Sequence, residues 1–161
     1  MTKYKKLVIF GVGETAVMLY NCFTHDSEYE VCAFTANKAY IASNTLRDLP
    51  VVDFDSVEDL FPPNEFEMFV AISSTNVNSL RKRIYNECKK KGYKFANYIS
   101  SKADIGYEVV IGDNCAVMGN TSIQQFTRIG NDVIMFNNNV IGHSSVIKDH
   151  VFISSCIAMS G

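Results

Sequence analysis

From Ile105 onward, every sixth residue is aliphatic: Ile105, Ile111, Val117, Ile123, Ile129, Met135, Ile141, Ile147, Ile153 and Met159. With about half of all residues apolar by background, ten such hits in a row arise by chance in roughly one register per thousand. Neither helical spacing nor strict alternation fits the stretch. A period of six predicts a parallel β-helix, in which each hexad supplies one short strand and one corner. The aliphatic residue points into the prism. The position four places on fits the narrowing beside the corner and is mostly small or β-branched: Val109, Cys115, Thr121, Thr127, Val133, Asn139, Ser145, Val151 and Ile157. Glycine follows the aliphatic at Gly106, Gly112, Gly130 and Gly142, where it is expected to let the backbone turn.

The preceding residues follow a different pattern. Lys6–Phe10 is an aliphatic run that stops at Gly11-Val12-Gly13, as a buried parallel strand does. Ala16, Val17, Tyr20 and Phe23 then recur at helical spacing, with Glu14 and Thr15 in the first turn. Tyr29–Phe34 and Met68–Ile72 read as further strands, 77–91 as a helix ending at Gly92, and Phe95–Ile99 as a last short strand. Strands alternating with helices imply a small parallel sheet covered on both faces. Two domains are expected, 1–98 and 99–161.

The turn at 11–16 reads G-x-G-x-x-A, with the strand before it and the helix after it that such a motif requires. Gly11 permits the tight turn, Gly13 lets the backbone approach a phosphate, and the helix start offers free N–H groups. Glu14 opposes phosphate and suits a sugar or base contact, or an idle loop. A dinucleotide fold wants an acid at the end of the second strand, whereas Thr35 and Ala36 follow Phe34 and the domain is half the usual size. NAD is therefore not the expected ligand.

Composition narrows the classes further. With 47% apolar and 20% charged residues the chain is globular, and a net charge of -2 lacks the basic surplus of a nucleic-acid binder. No apolar run is long enough to span a bilayer, so no membrane insertion is expected. The N-terminus has a basic start but too few apolar residues before Gly11 for a secretory signal. Five scattered cysteines, with no C-x-x-C, read as buried free thiols in a reducing cytoplasm, and no metal site is expected.

The hexad stretch, above all IGHSSVIKDHVFISSCIAMSG at 141–161, resembles the left-handed β-helix of the hexapeptide acyltransferases. Taken with G-x-G-x-x-A at 11–16, FVAISST at 69–75 and KFANYISSKADIG at 94–106, the chain resembles one branch of them. That branch holds the sialic acid O-acetyltransferases and the bacterial nucleotide-amino-sugar N-acetyltransferases. The resemblance implies a small α/β Rossmann-like N-terminal domain followed by a left-handed parallel β-helix with three hexads per coil. It implies a homotrimer, acetyl-CoA lying between neighbouring prisms, and the nucleotide of a nucleotide-activated amino sugar on the N-terminal sheet. The activity it implies is acetyl transfer to the 4-amino group of a nucleotide-linked dideoxy sugar. O-acetylation of a sialic acid or another sugar, and nucleotide-sugar binding without chemistry, are the alternatives. The repeat is still in register at Met159, so the prism is expected to lack the C-terminal coils of such enzymes.

Acetyl transfer needs a base for the acceptor's proton and a donor for the developing oxyanion. His143 sits at a corner in IGHSS, two residues after the inward Ile141, so its side chain is expected to point outward; the resemblance makes it the catalytic base. Gly161 follows eighteen residues later, one coil above and about 4.8 Å away. By the resemblance it matches the family's glycine whose backbone N–H holds the thioester carbonyl, and a corner glycine needed for its backbone angles fits equally well. Relatives acting on 4-amino sugars often carry Glu or Asp directly after the histidine, where it orients the ring and stabilises its cation; Ser144 stands there in this chain. Some use a histidine nine residues on for the coenzyme, where Phe152 stands here; His150 is either a coenzyme contact or a surface residue. Asn139 is either stacked along the coil or turned to His143 or substrate. Gly11, Val12, Gly13, Ser73, Ser74 and Arg81 are the candidates for holding the nucleotide, Arg81 being alternatively part of a solvated helix face with Lys82 and Arg83.

Overall fold

The computed structural model describes residues 5–161; the first residues of the basic N-terminal start lie outside them. The chain divides into two compact units, Met1–Ala96 and Asn97–Gly161.

The first unit is built on β1 (Lys5–Phe10), α1 (Glu14–His25), β2 (Tyr29–Ala36), β3 (Thr45–Leu46), β4 (Leu49–Asp53), α2 (Val57–Leu60), β5 (Phe66–Val70) and α3 (Ser79–Lys90). The sheet order is β3-β4-β2-β1-β5. β1 pairs in parallel with β2 on one side and β5 on the other, and β2 pairs in parallel with β4. Leu7, Val8, Ile9 and Phe10 are all buried, as expected of a central strand covered on both faces. α1 turns Ala16, Leu19 and Phe23 inward, so the buried stripe runs through Leu19, whereas Val17 and Tyr20 are only half-buried. The antiparallel β3–β4 hairpin was not expected from the sequence. Its two-residue loop is Arg47-Asp48, both at positive φ, without the Asn-Gly or Asp-Gly that usually marks such a turn.

Two tyrosines of this unit are fastened at the hydroxyl. Tyr29 donates to Glu67 at 2.7 Å and Tyr93 to the Phe61 carbonyl at 2.5 Å. Burial pushes both phenols well above the ordinary tyrosine range, helped by Glu67 at Tyr29 and by Glu58 at Tyr93.

No single strand covers Phe95–Ile99. Phe95 bridges to Met68 in the first unit, while Tyr98–Ile99 pairs with Ala116–Val117 as the first rung of the second. From there the chain winds through two-residue strands in three parallel sheets, stacked as in a left-handed β-helix. Each strand pairs with the one eighteen residues on: Ser122–Ile123 with Val140–Ile141, and Val140–Ile141 with Ala158–Met159. Val117, Ile123, Ile129, Met135, Ile141 and Ile147 fill the prism, joined by Cys115, Thr121, Thr127, Val133 and Asn139 from the narrowing positions.

The corners work differently from the expectation. The residues at positive φ are Glu108, Asn114, Asn120, Phe126, Asp132, Asn138, Ser144, His150 and Cys156, one per hexad and none of them glycine. Asparagine and aspartate tolerate this region best and supply four of the nine. The glycines at 106, 112, 130 and 142 do not turn the backbone. They let coils approach: a Cβ on Gly112 would lie 2.7 Å from the Gly130 carbonyl, and one on Gly106 2.9 Å from the Ile123 carbonyl. Side chains tie successive coils together as well. The Asn131 Oδ1 accepts from the Asp113 N–H at 3.0 Å, and the Asp149 Oδ1 from the Asn131 N–H at 2.7 Å.

Among the described residues no helix is long and apolar enough to cross a membrane, and no cluster of three metal-binding side chains occurs. None of the five cysteines forms a disulfide; Cys88 and Cys115 are buried, but Cys22 and Cys32 are only half-buried and Cys156 is exposed at its corner, contrary to the expectation of buried thiols.

Candidate functional site

In the second unit, His143 occupies the corner between Val140–Ile141 and Val146–Ile147. Ile141 and Ile147 anchor the two strands inward, the buried Gly142 donates its N–H to the Met159 carbonyl at 2.7 Å, and Ser144 takes φ 58°. The corner therefore thrusts His143 into solvent. Its backbone N–H donates to Gln124 Oε1 at 2.9 Å, and its Nδ1 lies 3.4 Å from Ser144 Oγ.

The next coil carries Gly161 onto this corner, as the pairing of Ile141 with Met159 requires. A Cβ on Gly161 would stand 2.5 Å from the His143 carbonyl oxygen and 3.1 Å from both Nδ1 and Cε1 of the ring. Glycine at this place leaves the imidazole edge uncovered. The pair thus offers an outward imidazole beside a main-chain segment one coil away. His25 belongs to the first unit, exposed at the end of α1.

The other residues of this unit singled out in the sequence are placed as follows. His150 holds Nδ1 2.8 Å from Oδ2 of the fully buried Asp132, whose Oδ1 accepts from Asn114 Nδ2 at 2.7 Å. One carboxylate thereby joins residues of three successive coils. Phe152 is half-buried and packs edge-on against Phe136, with ring centroids 5.0 Å apart. Asn139 is fully buried and spends its amide inside the prism, donating to the Phe136 carbonyl at 2.6 Å and accepting from the Ile157 N–H at 2.8 Å. It is stacked along the coil and does not reach His143.

The first unit has a cleft of about 410 Å³ at the carboxyl ends of β1, β2 and β5. The chain runs from β1 outward through β2 to β4 and returns on the other side at β5, so the strand order reverses beside β1. Open α/β sheets take ligands at such a reversal. Phe10, Ile72, Leu80 and Ile84 make the apolar walls. Gly11, at φ 129°, lets the turn pass under the β5 loop: a Cβ there would meet the Ala71 carbonyl at 2.8 Å. Gly13 is different. It caps α1 without a side-chain bond, and a Cβ there would touch nothing within 4 Å. Gly11, Val12, Gly13 and Ser73 all line the cleft, whereas Ser74 is exposed and off its wall.

Arg81 is also elsewhere: it is fully buried, on the inward stripe of α3 with Ile84, Tyr85 and Cys88. The cleft residue is Arg83, and Asn37 and Tyr40 join it from the segment after β2. Helical spacing carried this signal. Residues 81, 84, 85 and 88 form one stripe, and 80, 83 and 84 another.

No family model matches the chain. Solved structures share its fold. It is similar to the acetyltransferase domain of PglB from Neisseria gonorrhoeae FA1090, solved in complex with acetyl coenzyme A, with a TM-score of 0.83 and 20% identity over 98% of this chain and 74% of that one. It is similar to a histidine-to-alanine variant of the GDP-perosamine N-acetyltransferase of Caulobacter crescentus, in complex with CoA and GDP-perosamine, at TM-score 0.80 and 21% identity over 98% and 72%. WeeI from Acinetobacter baumannii AYE matches at TM-score 0.78 and 20% identity, over 98% and 73%.

Proposed function

We propose that the protein transfers an acetyl group from acetyl-CoA to the amino group of a nucleotide-linked sugar, with His143 as general base. The observation that carries the reading is the position of Gly161 against the His143 ring, with a Cβ site 3.1 Å from Nδ1. Further support comes from the shared fold, because structures of that fold hold acetyl coenzyme A, or CoA together with GDP-perosamine.

His143 accepts the proton of the amine as its nitrogen bonds to the thioester carbonyl carbon, and delivers it to the sulfur as the C–S bond breaks. The Gly161 N–H donates to the carbonyl oxygen while negative charge builds on it. Ser144 Oγ, 3.4 Å from Nδ1, is the side chain beside the ring where relatives place an acid.

The Rossmann-like first unit holds the nucleotide through Gly11, Val12, Gly13 and Ser73. The prism takes the coenzyme beside Gly161, with Phe152 and His150 as further contacts on its outer surface. Trimers with the coenzyme between neighbouring prisms, and a cytoplasmic location where both substrates are made, belong to the same reading.

The test is His143→Ala assayed with acetyl-CoA and a panel of nucleotide 4-amino sugars, read by mass. A loss of about a hundredfold or more in kcat with the fold intact is expected. A rate within a few-fold of the parent removes His143 as base.

A further inference from the structure

The cleft of the first unit has two walls of different chemistry. On the β2 side stands Tyr40, in a short helical turn after Asn37, with 70% of its surface exposed although it lines the cleft. On the α3 side stands Arg83, its side chain 64% exposed and loosely paired with Glu87 at 3.7 Å. Such an i,i+4 surface pair is weak and holds the guanidinium only lightly. Between the walls lies the Gly11–Gly13 turn, with open space above Gly13. Glu14, also on the cleft, repels an anion at the start of α1.

We propose that this cleft binds the nucleoside diphosphate part of its ligand in one polarity: the base lies against Tyr40, and the phosphates pass over Gly13 to Arg83. An exposed tyrosine ring bordering apolar walls is a stacking platform for a flat heterocycle, and stacking tolerates any base. A guanidinium suits phosphate oxygens through paired N–H donors. Glu14 makes the cation on the opposite wall necessary, because the helix start alone meets the phosphates with a carboxylate in its first turn. The cleft, of about 410 Å³, falls in the range of a single ligand site. The inference rests on the nucleotide-sugar reading above, and adds to it which residues hold which part of the nucleotide.

Calorimetry on the full chain with uridine, UDP, guanosine and GDP tests it. Each diphosphate is expected to bind at least about tenfold tighter than its nucleoside. Arg83→Ala removes that advantage and leaves nucleoside affinity unchanged. Tyr40→Ala weakens nucleoside and diphosphate alike by about tenfold, and Tyr40→Phe restores both. Glu14→Gln tightens the diphosphates alone. The proposal is overturned if neither diphosphate binds, or if both bind Tyr40→Ala and Arg83→Ala with parental affinity. Diphosphate binding that depends on Tyr40 and Arg83, in a chain that transfers no acetyl group, supports this inference and removes the acyl-transfer reading. Acetyl transfer with an unchanged KM for the nucleotide sugar in both variants does the reverse.

Discussion

Gly161 stands over His143 so closely that a single methyl group between them has no room: its carbon would be 2.5 Å from the His143 carbonyl oxygen and 3.1 Å from the ring. Gly161→Ala therefore has to displace the imidazole or the main chain beside it. Acetyl transfer is expected to fall by about tenfold or more. Because His143 and Gly161 are both exposed at this corner, outside the packed prism, the melting temperature should stay within about 2 °C of the parent. Paired activity and thermal-unfolding measurements check this, and a large loss of stability with normal turnover contradicts it.

The two glycines of the first turn should separate stability from binding. Gly11→Ala meets the Ala71 carbonyl at 2.8 Å and needs φ 129°, so it should destabilise the first unit by about 2 kcal/mol. Gly13→Ala meets nothing within 4 Å, and its φ of -89° is ordinary for alanine. Its urea midpoint should match the parent, while nucleotide affinity drops several-fold because the methyl group occupies the space over the turn.

Asp132 is the buried joint of a polar column, bonded to Asn114 from one coil and His150 from another. Asp132→Ala leaves two donors without this acceptor and should cost about 3 kcal/mol in urea denaturation. Asp132→Asn, which keeps the shape and one acceptor, should cost markedly less. Equal losses in the two variants would show that the carboxylate's bonds contribute little.

Alkaline pH should weaken the first unit through its tyrosines. Tyr29 and Tyr93 keep their protons in the folded chain to a higher pH than the ordinary value near 10. Their contribution is fully present below that ordinary value. Above it the unfolded chain binds fewer protons than the folded one, so stability declines as pH rises towards the folded values. Tyr29→Phe removes one of these groups, and the fall in melting temperature between pH 10 and about 12 should be shallower. It also removes the bond to Glu67, which should lower stability near neutrality by about 1 kcal/mol.

Much of this was legible in the residues. The run of aliphatics from Ile105 to Met159 announces the prism, and counting eighteen places from His143 reaches Gly161, because a coil of fixed length turns sequence distance into contact. The turning residues were less visible. Glycine is the usual marker of an unusual φ, yet here it appears where coils touch, while Phe126, Ser144 and Cys156 take the strained corners without any compositional sign. Arg81 and Arg83 are two residues apart, and only the stripe each joins separates a buried side chain from one facing the cleft. The β3–β4 hairpin was hidden because Arg47-Asp48 adopts a geometry that side chains ordinarily resist.

The side-chain columns at Asp113, Asn131 and Asp149, and at Asn114, Asp132 and His150, tie the winding to one phase. Loss or gain of one residue within 114–142 would bring every later rung out of step, turning aliphatics outward and carrying His143 off its vertex. Removing one complete circuit of eighteen would instead leave the remaining rungs aligned. Length variation in this half of the molecule is thus quantised, and a loop grafted at a vertex, outside the count, is the form of insertion the winding can absorb.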